Sequence, residues 1–193
     1  LELWELTGNE NFKNTAIKNL NWVVGNKILS NGWFQDCDNT IKHNDRPILH
    51  TIAYTLDGLI DSGIILNNTI YIEKAKVAAD ELLSIFNQNN YLWGRYDKNW
   101  NPTESFICTG GAQICVVWLK LYKLTKEVKY LNAAKKMNGF LCSIQSGTVN
   151  MKTAIKGGLQ GSFPIWGRYE PFAFPNWATK YLLDALMMEE EFK

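Results

Sequence analysis

The sequence predicts an all-α fold made of repeated helical hairpins, three in number. Three observations lead there. Apolar residues recur at spacings of three and four along most of the 193 residues, the signature of amphipathic helices. No window alternates apolar and polar residues long enough to argue for a sheet. Two motifs also return at long separations. Trp93-Gly94-Arg95-Tyr96-Asp97 comes back as Trp166-Gly167-Arg168-Tyr169-Glu170, and Tyr54-Thr55-Leu56-Asp57-Gly58-Leu59 as Tyr181-Leu182-Leu183-Asp184-Ala185-Leu186.

The elements follow in order. Phe12, Ala16, Leu20, Val23 and Val24 place a first helix over 11–29. A Gly-, Asn- and Asp-rich loop occupies 30–45, with Gly32-Trp33-Phe34-Gln35-Asp36 as a looser copy of the Trp-Gly motif. Pro47, in a first-turn position, opens a second helix that Gly63 can end. A third helix runs over 69–86, and a second aromatic loop follows over 91–105. The alternation then repeats, with helices over 106–124 and 127–144, a long Gly-rich loop, and a sixth helix over 174–190. The Tyr-x-Leu-Asp motif recurs across about two periods of 60 to 65 residues, with a weak middle copy expected at Val116 to Leu121. Each unit is an outer helix, an aromatic loop and an inner helix. Linear helical arrays have shorter periods of about 34 to 47 residues, so long loops at one end of the inner helices point to a ring with one functional mouth.

Composition removes several classes. Hydrophobic residues make up 46% and charged residues 20%, too apolar for a disordered chain. A net charge of +1 offers no field for a phosphate backbone or an anionic bilayer, so neither nucleic acid binding nor membrane insertion is expected. No apolar run reaches the ~18 residues of a spanning helix. The cysteines at 37, 108, 115 and 142 lack the C-x-x-C spacing of metal or redox motifs and read as reduced, buried residues of a cytoplasmic protein. The chain opens on Leu1 rather than Met, so the natural start, with any targeting segment, is expected to be missing.

Gly157-Gly158-Leu159-Gln160-Gly161-Ser162-Phe163-Pro164-Ile165-Trp166-Gly167, followed by Phe174-Pro175-Asn176-Trp177-Ala178-Thr179-Lys180 and preceded upstream by His50-Thr51-Ile52-Ala53-Tyr54, resembles a family of bacterial α/α-toroid proteins. The toroid is shared with six-hairpin glycosidases, sugar epimerases, terpenoid cyclases and protein prenyltransferases. The resemblance implies a role near surface-polysaccharide metabolism and a closed ring of about six hairpins. With three hairpins here, the chain is expected to be either a single all-α domain over 1–193 or the C-terminal half of a larger toroid, partnered by a missing N-terminal half. Some members carry the label delta-aminolevulinic acid dehydratase. The residues do not support it, because that enzyme is a TIM barrel of roughly 250 residues with a Schiff-base lysine at a strand end.

Chemistry is expected at the mouth. All three arginines, Arg46, Arg95 and Arg168, lie in loops before inner helices, whereas the lysines spread over helices and surfaces. A guanidinium fork grips a carboxylate at two points, so Arg95 and Arg168 are candidates for an anionic ligand. The bland reading pairs each arginine with its loop neighbour, Asp45, Asp97 or Glu170. Trp33, Trp93, Trp100, Trp166 and Trp177 offer flat faces to sugar rings, and Tyr96 and Tyr169 add hydroxyls. The alternative is that they plug the core. Asp36, Asp38, Asp97, Glu104 and Glu170 supply carboxylates for glycoside chemistry, which needs two of them facing across a sugar. His50, in the first turn of an inner helix with Tyr54 and Asp57 on its face, suits a general base. His43 is expected to be exposed.

The catalytic candidates are therefore His50, Asp36, Asp97 and Glu170. No cofactor is expected, because paired metal-ligand spacing is absent, and zinc on His50, Cys108 and Asp36 or Asp38 is the minor alternative. The function expected is a carbohydrate-active toroid that binds, and as a hydrolase, lyase or epimerase modifies, an acidic saccharide. A noncatalytic saccharide-binding or assembly protein is the runner-up, and a zinc-dependent or terpenoid-type toroid enzyme is third.

Overall fold

A computed structural model describes residues 1–38, 45–103, 105–145 and 153–192. His43 and Glu104 lie outside them. Seven α-helices dominate: α1 (Glu2–Thr7), α2 (Glu10–Asn26), α3 (Leu49–Ile65), α4 (Thr69–Asn89), α5 (Cys108–Thr125), α6 (Val128–Ile144) and α7 (Asn176–Glu190). Six match the expected helices, and α1 is additional. It is a short turn of helix that Gly8 closes in the left-handed region at φ 68, held to α2 by the Trp4 indole donating to Glu10 at 2.9 Å.

Side-chain caps are confined to two of the outer helices; α6 has none. Outer helices α2 and α4 carry side-chain caps, Asn9 accepting from Asn11 N–H and Asn68 from Ile70 N–H, as their exposed N-termini require. Inner helices α3, α5 and α7 have no side-chain cap. The first amides of α3 and α5 are satisfied by the neighbouring loop instead: Leu49 N–H donates to Gly94 O at 2.8 Å, and Cys108 N–H to Gly161 O at 3.0 Å. The helices expected to start at Phe106 and Phe174 begin two residues later, and that of Pro47 begins at Leu49. Phe106 and Ile107 are drawn instead into a two-residue strand. Gly63 does not end α3; it packs against Ile72 and the Asn68 carbonyl where α3 turns into α4.

Helix α5 is the centre, buried along most of its length, between α3 and α7 and backed by α6. Trp118 is fully buried on it, donating its indole N–H to Ala79 O at 3.2 Å and packing on Phe86. Each such side chain contributes about 1.5–3 kcal/mol of burial. Gly110 and Gly111 allow close approach at the mouth end of α5. A Cβ on Gly110 would stand 2.9 Å from Leu49 Cβ, and one on Gly111 2.1 Å from Phe106 Cζ.

Short β-ladders lace the loops at that end. β1 (Arg95–Tyr96) pairs antiparallel with β2 (Pro102–Thr103), and β3 (Phe106–Ile107) with β4 (Ser162–Phe163). An isolated bridge joins Ile48 to Arg95. The first loop is thus tied to the second and the second to the third, and all three loops gather at the N-terminal ends of the inner helices, as the hairpin repeat predicts.

Both edges of this arc are apolar and uncovered. Helix α2 has no buried residue, and a groove of about 1160 Å³ opens between α1–α2 and α3, lined by Leu3, Phe12, Ala16, Leu20, Tyr54 and Leu59 among others. Leu183 and Met187 are exposed on α7. Among the described residues, no helix is long and apolar enough to cross a membrane. All four cysteines are free; Cys108 and Cys115 are buried as expected, Cys37 is half-buried, and Cys142 is exposed.

Candidate functional site

Six residues at the mouth occupy equivalent places on the inner helices. His50, Thr109 and Trp177 are each the second residue of α3, α5 and α7, and Tyr54, Gln113 and Tyr181 are each the sixth. Four residues make just over one helical turn, so the three helices present two tiers of side chains to one centre. The middle copy of the Tyr-x-Leu-Asp motif therefore starts at Gln113 rather than Val116.

The tiers are joined by polar contacts. His50 Nδ1 lies 2.7 Å from Gln113 Oε1; the imidazole is 8% exposed and the glutamine 4%. Its ring stands 4.7 Å from Tyr54 and 6.2 Å from Tyr169. Tyr54 meets Tyr181 edge to face. The Trp177 indole donates to the Tyr169 hydroxyl at 3.1 Å. Thr109 Oγ1 faces that phenol without good hydrogen-bond geometry, and it is fully buried and unpaired.

Burial governs the titration of this group. It lowers the His50 pKa below the ordinary imidazole value, with the Gln113 hydrogen bond pulling part of the way back. It raises Tyr169, against the Trp177 hydrogen bond, and it raises Tyr181, with Tyr54 adding to the rise. The centre is therefore neutral around pH 7. One turn deeper, Lys120 clamps Asp57 and Asp61 at 2.6 Å each. Burial raises Asp57 while Lys120 opposes it.

The loop residues divide into two sets. Trp33 and Tyr96, expected to bind substrate, are buried. The Trp33 indole donates to Tyr96 O, and the Trp100 indole returns a bond to Asn31 O, each at 3.1 Å. The Tyr96 hydroxyl accepts from Trp93 N–H at 2.8 Å. These aromatics plug the seam between the first two loops and present no face to a ligand. Trp93 is half-buried, edge to face against Tyr91.

Arg95 is likewise engaged. Its Nη1 bonds both Asp38 Oδ2 and Arg46 O at 2.7 Å, and Arg46 lies 4.0 Å from Asp97. Neither arginine pairs with its sequence neighbour, because the antiparallel meeting of two loops sets each against the other loop's aspartate.

The carboxylates expected to be catalytic are spread out. Asp36 pairs with Lys27 at 2.6 Å, on the flank towards α2. Asp97 accepts from Asn99 N–H, Asn101 N–H and the Asn101 amide, closing the β1–β2 turn; these bonds and Arg46 outweigh desolvation and hold its pKa below the usual value. Both carboxylates shape loops. Glu170 is exposed in the third loop, in the left-handed region at φ 46. That loop also projects Trp166 (67% exposed), Arg168 and Phe172 (71%).

Among the described residues, no three His, Cys, Asp or Glu side chains come together as a metal site. Burial pushes the Cys108 thiol up to about 12.

No family model matches the chain, and no curated protein matches its sequence. Solved structures do match its fold. It is similar to the unsaturated glucuronyl hydrolase of Bacillus sp. GL1, responsible for the degradation of glycosaminoglycan (TM-score 0.69, 16% identity, 95% of this chain and 54% of that one). It is also similar to an unsaturated glucuronyl hydrolase specific for heparin (0.67, 14%, 98% and 53%) and to cellobiose 2-epimerase from Bacillus thermoamylovorans B4167 (0.68, 11%, 97% and 50%). The fold is that of an α/α toroid, and the chain spans about half the length of the solved structures it matches.

Sequence reasoning missed Gln113, Thr109 and Tyr181. The signal for Tyr181 was present, since it repeats Tyr54. Gln113 and Thr109 are hidden because the middle copy keeps the helical position and changes the residue type.

Proposed function

We propose that this chain is part of a carbohydrate-active toroid enzyme that binds an acidic saccharide and acts on it by proton transfer at His50, in polysaccharide metabolism. The observation that carries the reading is the neutral cluster of His50, Gln113, Tyr54, Tyr169 and Tyr181 at the convergence of three helix N-termini. Helix N-termini favour negative charge, and a centre of phenols and amides does not repel a uronate carboxylate. A buried neutral imidazole is a competent base, and the tyrosine hydroxyls are proton donors within the same cluster.

Proton abstraction of the epimerase or lyase type fits better than two-carboxylate hydrolysis, because Asp36 and Asp97 are committed to Lys27 and to a turn. Trp166 and Arg168 of the exposed third loop are the further saccharide contacts we assign. The half-length match and the two apolar edges support a ring completed by further helical hairpins of the same protein. The chemistry uses side chains without a cofactor.

One observation favours noncatalytic saccharide binding as a second reading. Asp38 is taken up by Arg95 and Asp184 by Lys180, as in a scaffold. Calorimetry of the full protein with acidic and neutral oligosaccharides, followed by product analysis in deuterated water, separates the two readings. The enzyme reading expects preferential binding of acidic chains and either carbon-bound deuterium in an epimerised product or a new carbon–carbon double bond in an eliminated one, with His50→Gln retaining binding and losing turnover. Binding without turnover supports the second reading, and equal binding of acidic and neutral sugars overturns the acidic-ligand assignment.

A further inference from the structure

We infer that Gln113 is the positioning residue for His50: it holds the proton on Nδ1 and leaves Nε2 as the proton acceptor. The inference deepens the reading of His50 as a base and rests on it for its functional meaning.

The contact geometry supplies the tautomer. An amide oxygen only accepts, so a 2.7 Å contact between Gln113 Oε1 and His50 Nδ1 requires a proton on Nδ1. In the neutral ring the lone pair then lies on Nε2.

A glutamine differs from the carboxylate that often orients a histidine. A carboxylate beside the ring stabilises the imidazolium and raises its pKa. A neutral amide supplies orientation without that charge, so the imidazole stays unprotonated at the pH where an acidic saccharide is bound, and no fixed anion competes with the ligand. The groups packed on the ring are Gln113 from α5, Tyr54 from α3 and Tyr169 from the third loop. From α7, Tyr181 stands edge to face against Tyr54, and its phenol feels the charge of Asp57. Gly110 makes the contact sterically feasible, since a Cβ there would meet His50 N at 3.0 Å.

The test is long-range proton–nitrogen correlation NMR on the full protein labelled at histidine, with His50→Gln identifying the signal. Unmodified protein is expected to show His50 as the Nδ1–H tautomer, titrating below the ordinary range near 6.5. Gln113→Glu is expected to raise that midpoint by about one unit or more, a change that a merely structural glutamine would not produce. An Nε2–H tautomer in the unmodified protein overturns the inference, as does an unchanged midpoint in folded Gln113→Glu. Should Gln113→Glu fail to fold, the unmodified spectrum still decides. The readout needs no substrate: a correct tautomer in a protein without saccharide turnover would overturn the enzyme reading and leave the role of Gln113 standing.

Discussion

Tyr54 and Tyr181 meet edge to face with ring centroids 5.8 Å apart, although 127 positions separate them in the chain. They hold the same place in the first and third inner helices, so the repeat written in the sequence becomes a contact across the front of α5. Gln113 holds the corresponding place on α5 itself. Substituting one member of this tier is expected to be felt by the other two.

Stability should depend on pH through His50. Its folded pKa is lowered, chiefly by burial, so between the folded and unfolded values the unfolded chain binds more protons. The contribution is fully retained above about pH 6.5 and is lost as pH falls through the folded value. Melting temperatures measured from pH 8 to pH 5 should decline more steeply for the unmodified protein than for His50→Gln; parallel curves would contradict this.

Arg95→Lys should act on stability. The guanidinium bonds Asp38 and the Arg46 carbonyl from one nitrogen, and a lysine cannot keep both contacts in the same geometry. A loss of about 1–3 kcal/mol is expected in denaturant unfolding, with saccharide affinity little changed. Arg168→Lys, in the exposed third loop, should weaken acidic-saccharide binding in calorimetry.

Two glycine substitutions should have opposite signs. Gly111→Ala drives a Cβ into the Phe106 ring, at 2.1 Å from Cζ, and overpacking of that kind costs about 1–3 kcal/mol. Gly139→Ala on α6 meets nothing within 4 Å and should stabilise by about 0.5–1 kcal/mol through helix propensity. Thermal unfolding of the two variants side by side checks both.

Asp80 joins the second and third hairpins on the outside of the arc. It accepts from the Tyr130 hydroxyl at 2.6 Å and pairs with Lys129 and Lys76. Partial desolvation pushes its pKa up, but these partners together hold it below the usual value. Its stabilisation is therefore present above the unfolded Asp value of about 3.9 and is lost as pH falls below it. Asp80→Asn should cost about 1–2 kcal/mol at neutral pH, allowing for solvent screening. A double-mutant cycle with Tyr130→Phe in denaturant titrations measures the coupling.

The helices were legible because helical burial is local: Ile52, Leu56 and Leu59 mark the buried face of α3 at spacings of four and three whatever lies opposite. The hairpin count and the common mouth followed from repeats, since equal order of outer helix, loop and inner helix forces equal direction. His50 was legible as a site residue from its first-turn position beside Tyr54. What tertiary structure alone decided was pairing between loops. Arg95 and Asp97 are neighbours in the chain, yet Arg95 grips Asp38 and Arg46 lies by Asp97, because the Ile48–Arg95 bridge sets two antiparallel loops against each other. The same seam took Trp33 and Tyr96 into the interior. Gln113 became visible only when α5 was aligned on α3 and α7 by helix start rather than by residue type. Periodicity encodes which face of a helix is buried; the register between helices is set by backbone contacts among residues tens of positions apart, such as Leu49 N–H to Gly94 O and Cys108 N–H to Gly161 O.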